Sequence, residues 1–330
     1  MSLSTLNLDV LKCICDAVCD MQKADVGDAA GLLKAFSLTD KRIRRASVPN
    51  LYRSVTIQSK TTRECTELMS AIGAAAHLSE HIRSFALDVE LSTPALDLFW
   101  DTGDQTHIKE MEDTPGFALA FVQILAKMPA LRHLALNSHT CLVEPIATDL
   151  APHLSRAVSL PDVKSLSTTL YFCLWKSFPS VTTLSLEVGQ MTSDEAQLWG
   201  TALRSLKNVT LRCSYGWRVV RPLVSHMQHI VELTLAPRID LETDLALFSP
   251  LRSLVVLNLP GLALLNAGFD PPWCGTEDPN TTPEEREREL QMLKQQADSA
   301  RMEAKRLAQN TFPRLRTLRI GHDGVYDLAA

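Results

Sequence analysis

Glycine is scarce in this chain, with 13 in 330 residues. Loops that cradle phosphate depend on glycine, and neither the P-loop nor the Rossmann fingerprint occurs. G-x-S-x-G and H-E-x-x-H are missing too, so the common hydrolase and zinc-protease signatures are excluded. Eight cysteines form no Cys-x-x-Cys pair, and most sit in apolar stretches. That pattern reads as reduced, buried thiols in a cytosolic or nuclear protein. Cys13, Cys15 and Cys19 crowd together, but a helix sets the first two about 200° apart, and no nearby histidine completes a zinc site. His77 with His81, and His226 with His229, read as helix-end residues rather than ligands. No apolar run approaches the roughly 18–20 residues of a membrane helix. No basic region precedes an apolar stretch at the N-terminus, so no secretory leader is expected. The sequons at Asn208 and Asn280 then read as coincidental. The net charge is −5 with no long basic stripe, which makes nucleic acid a poor partner. The expectation is no catalysis, no metal and no cofactor.

What the chain does have is repetition. Leu-x-x-Leu-x-Leu, or a close variant, begins at Ile82, Leu131, Val181, Leu206, Ile230, Leu254 and Leu315. Successive copies stand 49, 50, 25, 24, 24 and 61 residues apart. Two gaps are about twice the short unit, and the last is one unit plus an insertion. A period in the twenties with a strand-like leucine motif points to a leucine-rich solenoid. The predicted fold is α/β: a curved parallel sheet with helices on its convex side, eight or nine units in all, behind an N-terminal helical module.

The module covers residues 1–50 and the array residues 51–330. In the module, Asn7 caps a helix from Leu8 to about Asp20, with Asp9 in its first turn. A second helix spans about Leu32 to Leu38. The basic segment KRIRRA from Lys41 then leads to Pro49 and to a first, atypical strand around Tyr52, Val55 and Ile57. Helix-like stretches separate the later motifs, at Thr62–His77, Gly116–Met128, Ser193–Leu203, Val219–Met227 and Leu241–Phe248. Thr192 and Glu195 form a capping box before the third. The doubled gaps predict strands near residues 106 and 156. The second is placed in LSRAVSL from Leu154, and the first has no visible motif. The insertion, at about 271–311, carries a second capping box, Thr282 with Glu285 and Pro283 between. Its helix is about 40 Å long, with a seam of Leu290, Leu293, Ala297, Ala300, Ala304 and Leu307. Packing on the array, a solvated arm and a partner helix are all open to it.

In the first fifty residues, Leu6, Asp9, Leu11 and Ile14 fall on the Leu-Pro-x-Glu-x-Leu-x-x-Ile opening of the F-box. Leu33, Ser37, Leu38, Lys41 and Arg42 fall on its second helix, and LYRSVTI from Leu51 on the tail common in fungal-type members. The N-terminus thus resembles an F-box, and the repeats behind it resemble F-box proteins of the leucine-rich class. Asn7, Asp40 and Ile43 depart from the pattern, replacing Pro, Ser or Cys, and an aromatic residue. The resemblance implies docking on a Skp-type adaptor, and through it a cullin ubiquitin ligase, by Leu6, Leu11, Ile14, Val18, Leu33, Leu38 and Ile43. Independently of it, two short helices carry more aliphatic residues than so small a core requires. The alternative is a helical cap closing the first repeat.

Residues alternating out of the motif would line the open face of the array. These are His133, Ala135 and Asn137; Thr183, Ser185 and Glu187; Asn208, Thr210 and Arg212; Glu232 and Thr234; Thr317 and Arg319. Asn137 alone also matches the buried asparagine that caps each turn in such arrays. The set is polar and mixed in charge, suited to an unidentified target protein. His133, Asn137, Thr183, Glu187, Asn208, Arg212, Glu232 and Arg319 are the expected contacts. Trp217 and Trp273 fall on loops, where each is either a binding residue or packing. The reading is a substrate-recognition subunit of a Skp–cullin–F-box ligase. The alternative is a non-catalytic repeat scaffold with a degenerate cap.

Overall fold

The repeat motif alternates apolar and polar residues, and an extended strand sorts such residues onto opposite faces. The structure, a computed structural model, makes each motif a strand of this kind. It describes residues 6–23, 29–89, 116–138, 146, 149–150, 152–153, 160, 162–169, 177–188, 191–202, 204–213, 217, 220–267, 282–321 and 324–328. Contacts divide the chain into two compact units, residues 1–178 and 179–330.

The first unit opens with three helices packed on one another: α1 (Leu8–Lys23), α2 (Ala29–Ser37) and α3 (Lys41–Leu51). Their shared core is Leu11, Cys15, Leu33, Ile43 and Ala46, with Leu6, Leu8, Val18, Cys19, Phe36 and Leu51 at its margin. The Asn7 side chain accepts the Asp9 N–H at 3.2 Å, the expected cap of α1. The helix α3 is a correction to the sequence reading, which took the basic segment as a lead-in. Its cap is Asp40, whose carboxylate accepts the Arg42 N–H at 2.7 Å. The Asp40 charge therefore meets the positive end of a helix. Pro49 lies in the last turn, where losing one N–H bends nothing that follows.

Four parallel strands complete this unit: β1 (Ser54–Ser59), β2 (Ser84–Val89), β3 (His133–Ser138) and β4 (Ser165–Thr168). Between them come α4 (Thr62–Ala74), a helical turn at Ala76–Ser79, and α5 (Phe117–Ala126), with α4 packed on α5 and on β1. Phe85, Leu134 and Leu166 stand in register as one buried rung, and Ile57, Leu87, Leu136 and Thr168 as another. Strand β2 pairs directly with β3, Ser84 beside His133. The 49-residue gap is thus a single step of the sheet, with no strand standing between β2 and β3. Residues 90–115 lie outside the described ones. The next gap holds a strand at Ser165–Thr168; residues 154–159 of LSRAVSL, where the sequence reading placed one, lie outside the described residues. Val163, Leu166 and Thr168 are buried, so this copy is the motif with threonine in its last slot.

On the inner face of α4, Cys65 is fully buried, and burial pushes its thiol up to about 11, against a smaller downward pull from the Ser59 hydroxyl. The folded protein therefore holds this proton more tightly than the unfolded chain, whose thiol titrates near 9.0. The stability this contributes is full below that value and is lost as pH rises through about 11. At pH 8, iodoacetamide is expected to modify the exposed Cys13 and spare Cys65 in the native protein. Peptide mass mapping reads this, and equal labelling of both would contradict the buried placement.

The second unit holds β5 (Thr183–Glu187), α6 (Ser193–Ala202), β6 (Asn208–Cys213), α7 (Val220–His226), β7 (Glu232–Pro237) and β8 (Val256–Leu259). The helix α8 (Pro283–Thr311), β9 (Thr317–Ile320) and β10 (Gly324–Asp327) follow. Strands β5 to β9 are parallel, and β10 turns back antiparallel on β9. Leu184, Val209, Leu233, Leu257 and Leu318 form one in-register rung, none more than 2% exposed. Each buried aliphatic side chain contributes about 1.5–3 kcal/mol. Where the sequence suggests a helix at Leu241–Phe248, the chain makes only a 3-10 turn, Leu245–Phe248. The capping box before α6 is present: the Thr192 N–H donates to Glu195 Oε2 at 2.7 Å, and the Glu195 N–H to Thr192 Oγ1 at 3.3 Å. Gly321, at φ 55°, follows β9. A Cβ there would stand 2.9 Å from the Gly261 Cα, so both backbone conformation and space select glycine.

One main-chain device recurs in both units. The carbonyl just before a strand accepts two consecutive N–H groups from the next, at 2.8–3.0 Å. Arg53, Arg83 and Arg132 supply it in the first unit, and Thr182, Lys207, Val231 and Val255 in the second.

The helix α8 answers the question left by its seam. Ala297, Ala300, Ala304 and Ala308 are buried, and their small side chains let α8 approach β9 and the turns at Leu245–Phe248 and Leu262–Leu264. From Glu284 to Met292 every residue is exposed, including Leu290, which the heptad reading had placed in the seam. The exposed start is held by the Thr282–Glu285 capping box, with Pro283 at its first position. Among the described residues no helix is long and apolar enough to cross a membrane.

Candidate protein-binding surfaces

The outside of the helical module is the first candidate. Of the seven apolar residues expected to meet an adaptor, the structure withdraws three. Leu11, Leu33 and Ile43 are 0%, 2% and 3% exposed and form the module's own core. Helical spacing marks an apolar face, but it cannot say whether a sister helix or another protein covers that face. Leu6 and Val18 are half-buried at the core margin, Ile14 is half-buried, and Leu38 is 75% exposed. The structure adds Val10 and Leu32, 45% and 58% exposed. Val10 lies one turn before Ile14 on α1, a spacing already legible in the sequence.

The open face of the strands is the second. In the first unit His133, Ala135 and Asn137 lie beside Ser84, Ala86 and Asp88 of β2. Asn137 is half-buried on this open face, so it does not serve as a buried turn cap. In the second unit Thr183, Ser185, Glu187, Asn208, Thr210, Arg212, Glu232, Thr234, Thr317 and Arg319 are all at least partly exposed, as alternation predicts. Glu187 stands opposite Arg212 on the neighbouring strand.

Asn258 was missed and organises this face. Its Nδ2 donates to Glu232 Oε1 at 2.9 Å and to Thr234 Oγ1 at 2.8 Å. Arg319 Nη1 donates to Asn258 Oδ1 at 3.4 Å and lies 3.6 Å from the Glu232 carboxylate. The signal was available: Asn258 occupies the outward slot between the last two leucines of the copy at Leu254. The Glu232–Arg319 pair is half-exposed and contributes under about 1 kcal/mol. Its effect is to fix side chains in place, so that β7, β8 and β9 present an ordered row of donors and acceptors.

Other candidates resolve against binding. Trp217 is 2% exposed, donates its Nε1–H to the Arg238 carbonyl at 3.0 Å, and meets Phe248 edge to face at 5.6 Å. It is packing. Trp273 lies outside the described residues. Cys13 is exposed while Cys15 is buried against Ser47 Oγ at 3.4 Å. Among the described residues no three His, Cys, Asp or Glu side chains are grouped to hold a metal.

No protein-family model matches the chain, and no curated protein matches it. Its structure is similar to the crystal structure of the leucine-rich repeat-containing protein LegL7 from Legionella pneumophila. That likeness has 13% sequence identity and a TM-score of 0.42, over 89% of this chain and 80% of that one. The fold class rests on the ladder itself: within each unit, parallel strands carry in-register aliphatic rungs and alternate with helices, an α/β arrangement of the leucine-rich-repeat type.

Proposed function

We propose that this chain is a bridging protein: its N-terminal helices dock on a Skp-type adaptor of a cullin ubiquitin ligase, and its strand face holds a target protein. The observation that carries the reading is apolar surface left over outside a module whose core is already complete. Val10, Leu32 and Leu38 are exposed, while the core beneath them is closed by residues of the same three helices. Exposed aliphatic side chains on so small a module support a protein contact. In this role the chain supplies proximity, not bond chemistry. The polar face organised by Asn258 fits a folded, hydrogen-bonding target better than an apolar helix.

The test is co-purification of the chain with a Skp-type adaptor. Wild type is expected to bind, and the double variant Leu32→Glu, Leu38→Glu to lose at least tenfold in affinity while keeping its helical circular dichroism. Both side chains are exposed, so folding is not at stake. Failure of wild type to bind, or unchanged binding by the variant, defeats the ligase reading. A non-catalytic repeat scaffold then stands in its place. It has one observation of its own: Leu11, Leu33 and Ile43, part of the F-box-like set, are fully used in holding the module together.

A further inference from the structure

Where the helical module meets the starts of the first strands, a groove of about 580 Å³ is lined by Arg53, Arg83, Arg132 and His133. The half-buried apolar side chain of Leu51 borders it, and no carboxylate does. The three arginines are brought together by the repeat. Each sits one residue before a strand, and β1, β2 and β3 are neighbours in register. The arginine positions therefore form a row with about 4.8 Å per step. Lys164, one residue before β4, extends the row. Arg132 is paired with Asp162 at 3.1 Å. Among the described residues the side chains of Arg53 and Arg83 have neither an ion pair nor a hydrogen bond. Both also line a neighbouring cavity that includes Asp16 and Glu80, without pairing with either. A carboxylate in the groove would accept their unused forked donors.

We infer that this groove binds an acidic peptide segment of a partner protein, its carboxylates on Arg53 and Arg83 and a neighbouring aliphatic side chain against Leu51. The apolar wall suits a peptide side chain. A single-stranded nucleic acid would ask for large aromatic side chains on which to stack its bases, and no Phe, Tyr or Trp lines the groove. The site does not depend on the adaptor reading, since it uses neither Leu32 nor Leu38.

Fluorescence anisotropy on the full chain tests this, using a fluorescein-labelled peptide of alternating glutamate and leucine. Binding is expected at about 50 mM salt and to weaken markedly near 300 mM, as half-exposed charge pairs are screened. R53Q/R83Q is expected to bind about tenfold more weakly or worse. The charge-matched control R288Q/K294Q, at two exposed positions of α8, is expected to bind as wild type does. A peptide with glutamine for glutamate is expected not to bind. Equal binding by R53Q/R83Q, or by the glutamine peptide, overturns the inference. So does tighter, arginine-dependent binding of an oligouridylate, which would assign the groove to nucleic acid. Should R53Q/R83Q melt early, the salt series and the glutamine peptide on wild-type protein still decide the matter.

Discussion

Leu233→Ala is expected to destabilise the second unit by about 2–5 kcal/mol, because it removes a fully buried rung between Val209 and Leu257 and leaves a cavity. Its neighbour Thr234 faces outward and accepts one hydrogen bond from Asn258, so Thr234→Ala is expected to cost about 1 kcal/mol or less. Amide hydrogen exchange across β6, β7 and β8 is the suitable measurement. Protection there should fall at least about thirtyfold in the leucine variant and severalfold at most in the threonine variant. The contrast tests the inside–outside alternation of the whole array with two adjacent residues. Similar losses from both would mean that β7 is not a one-face-buried strand.

Leu11→Ala is the second large effect, again about 2–5 kcal/mol. Leu11 is fully buried among Cys15, Leu33, Ile43 and Ala46, in a module of three short helices with little core to spare. Exchange protection in α1, α2 and α3 is expected to collapse, while β6 to β8 keep theirs. Leu38→Ala, at a side chain 75% exposed, is expected to change stability by about 0.5 kcal/mol or less. The pair also settles how adaptor binding is to be probed. A Leu11 variant that fails to bind reports an unfolded module, whereas a Leu38 variant that fails to bind reports a lost contact.

The sequence made some elements plain because their signal is local. The caps at Asn7, Thr192 and Thr282 depend on residues within three positions, and all three form as read. The regular copies from Val181 to Leu254 are spaced evenly enough that period alone locates β5 to β8. Irregular units escaped for identifiable reasons. Counting turns the 49-residue gap before Leu131 into two units, whereas β2 and β3 are direct neighbours in the sheet. In β4, Thr168 fills a leucine slot, and a threonine that can be buried in one context is solvent-facing in the next. The helix α3 was hidden by its basic composition and by Pro49, although Asp40 signals its start. The binding surfaces were legible in part. Outward slots such as Glu232 and Arg319 follow from alternation, but the Asn258 bridge joining them crosses three strands. The arginine groove was invisible because Arg53, Arg83 and Arg132 are scattered along the chain, and only strand pairing makes them neighbours.

The doubly used carbonyl at the start of each strand explains how such a groove can exist at all. The stitch involves main-chain atoms only, so it is indifferent to the side chain at that position: arginine fills it in one unit, valine and threonine in the other. Along this rim the chain can be rewritten in charge and shape while the stack beneath keeps its bonds. Selection for a new partner can act there with little penalty in folding.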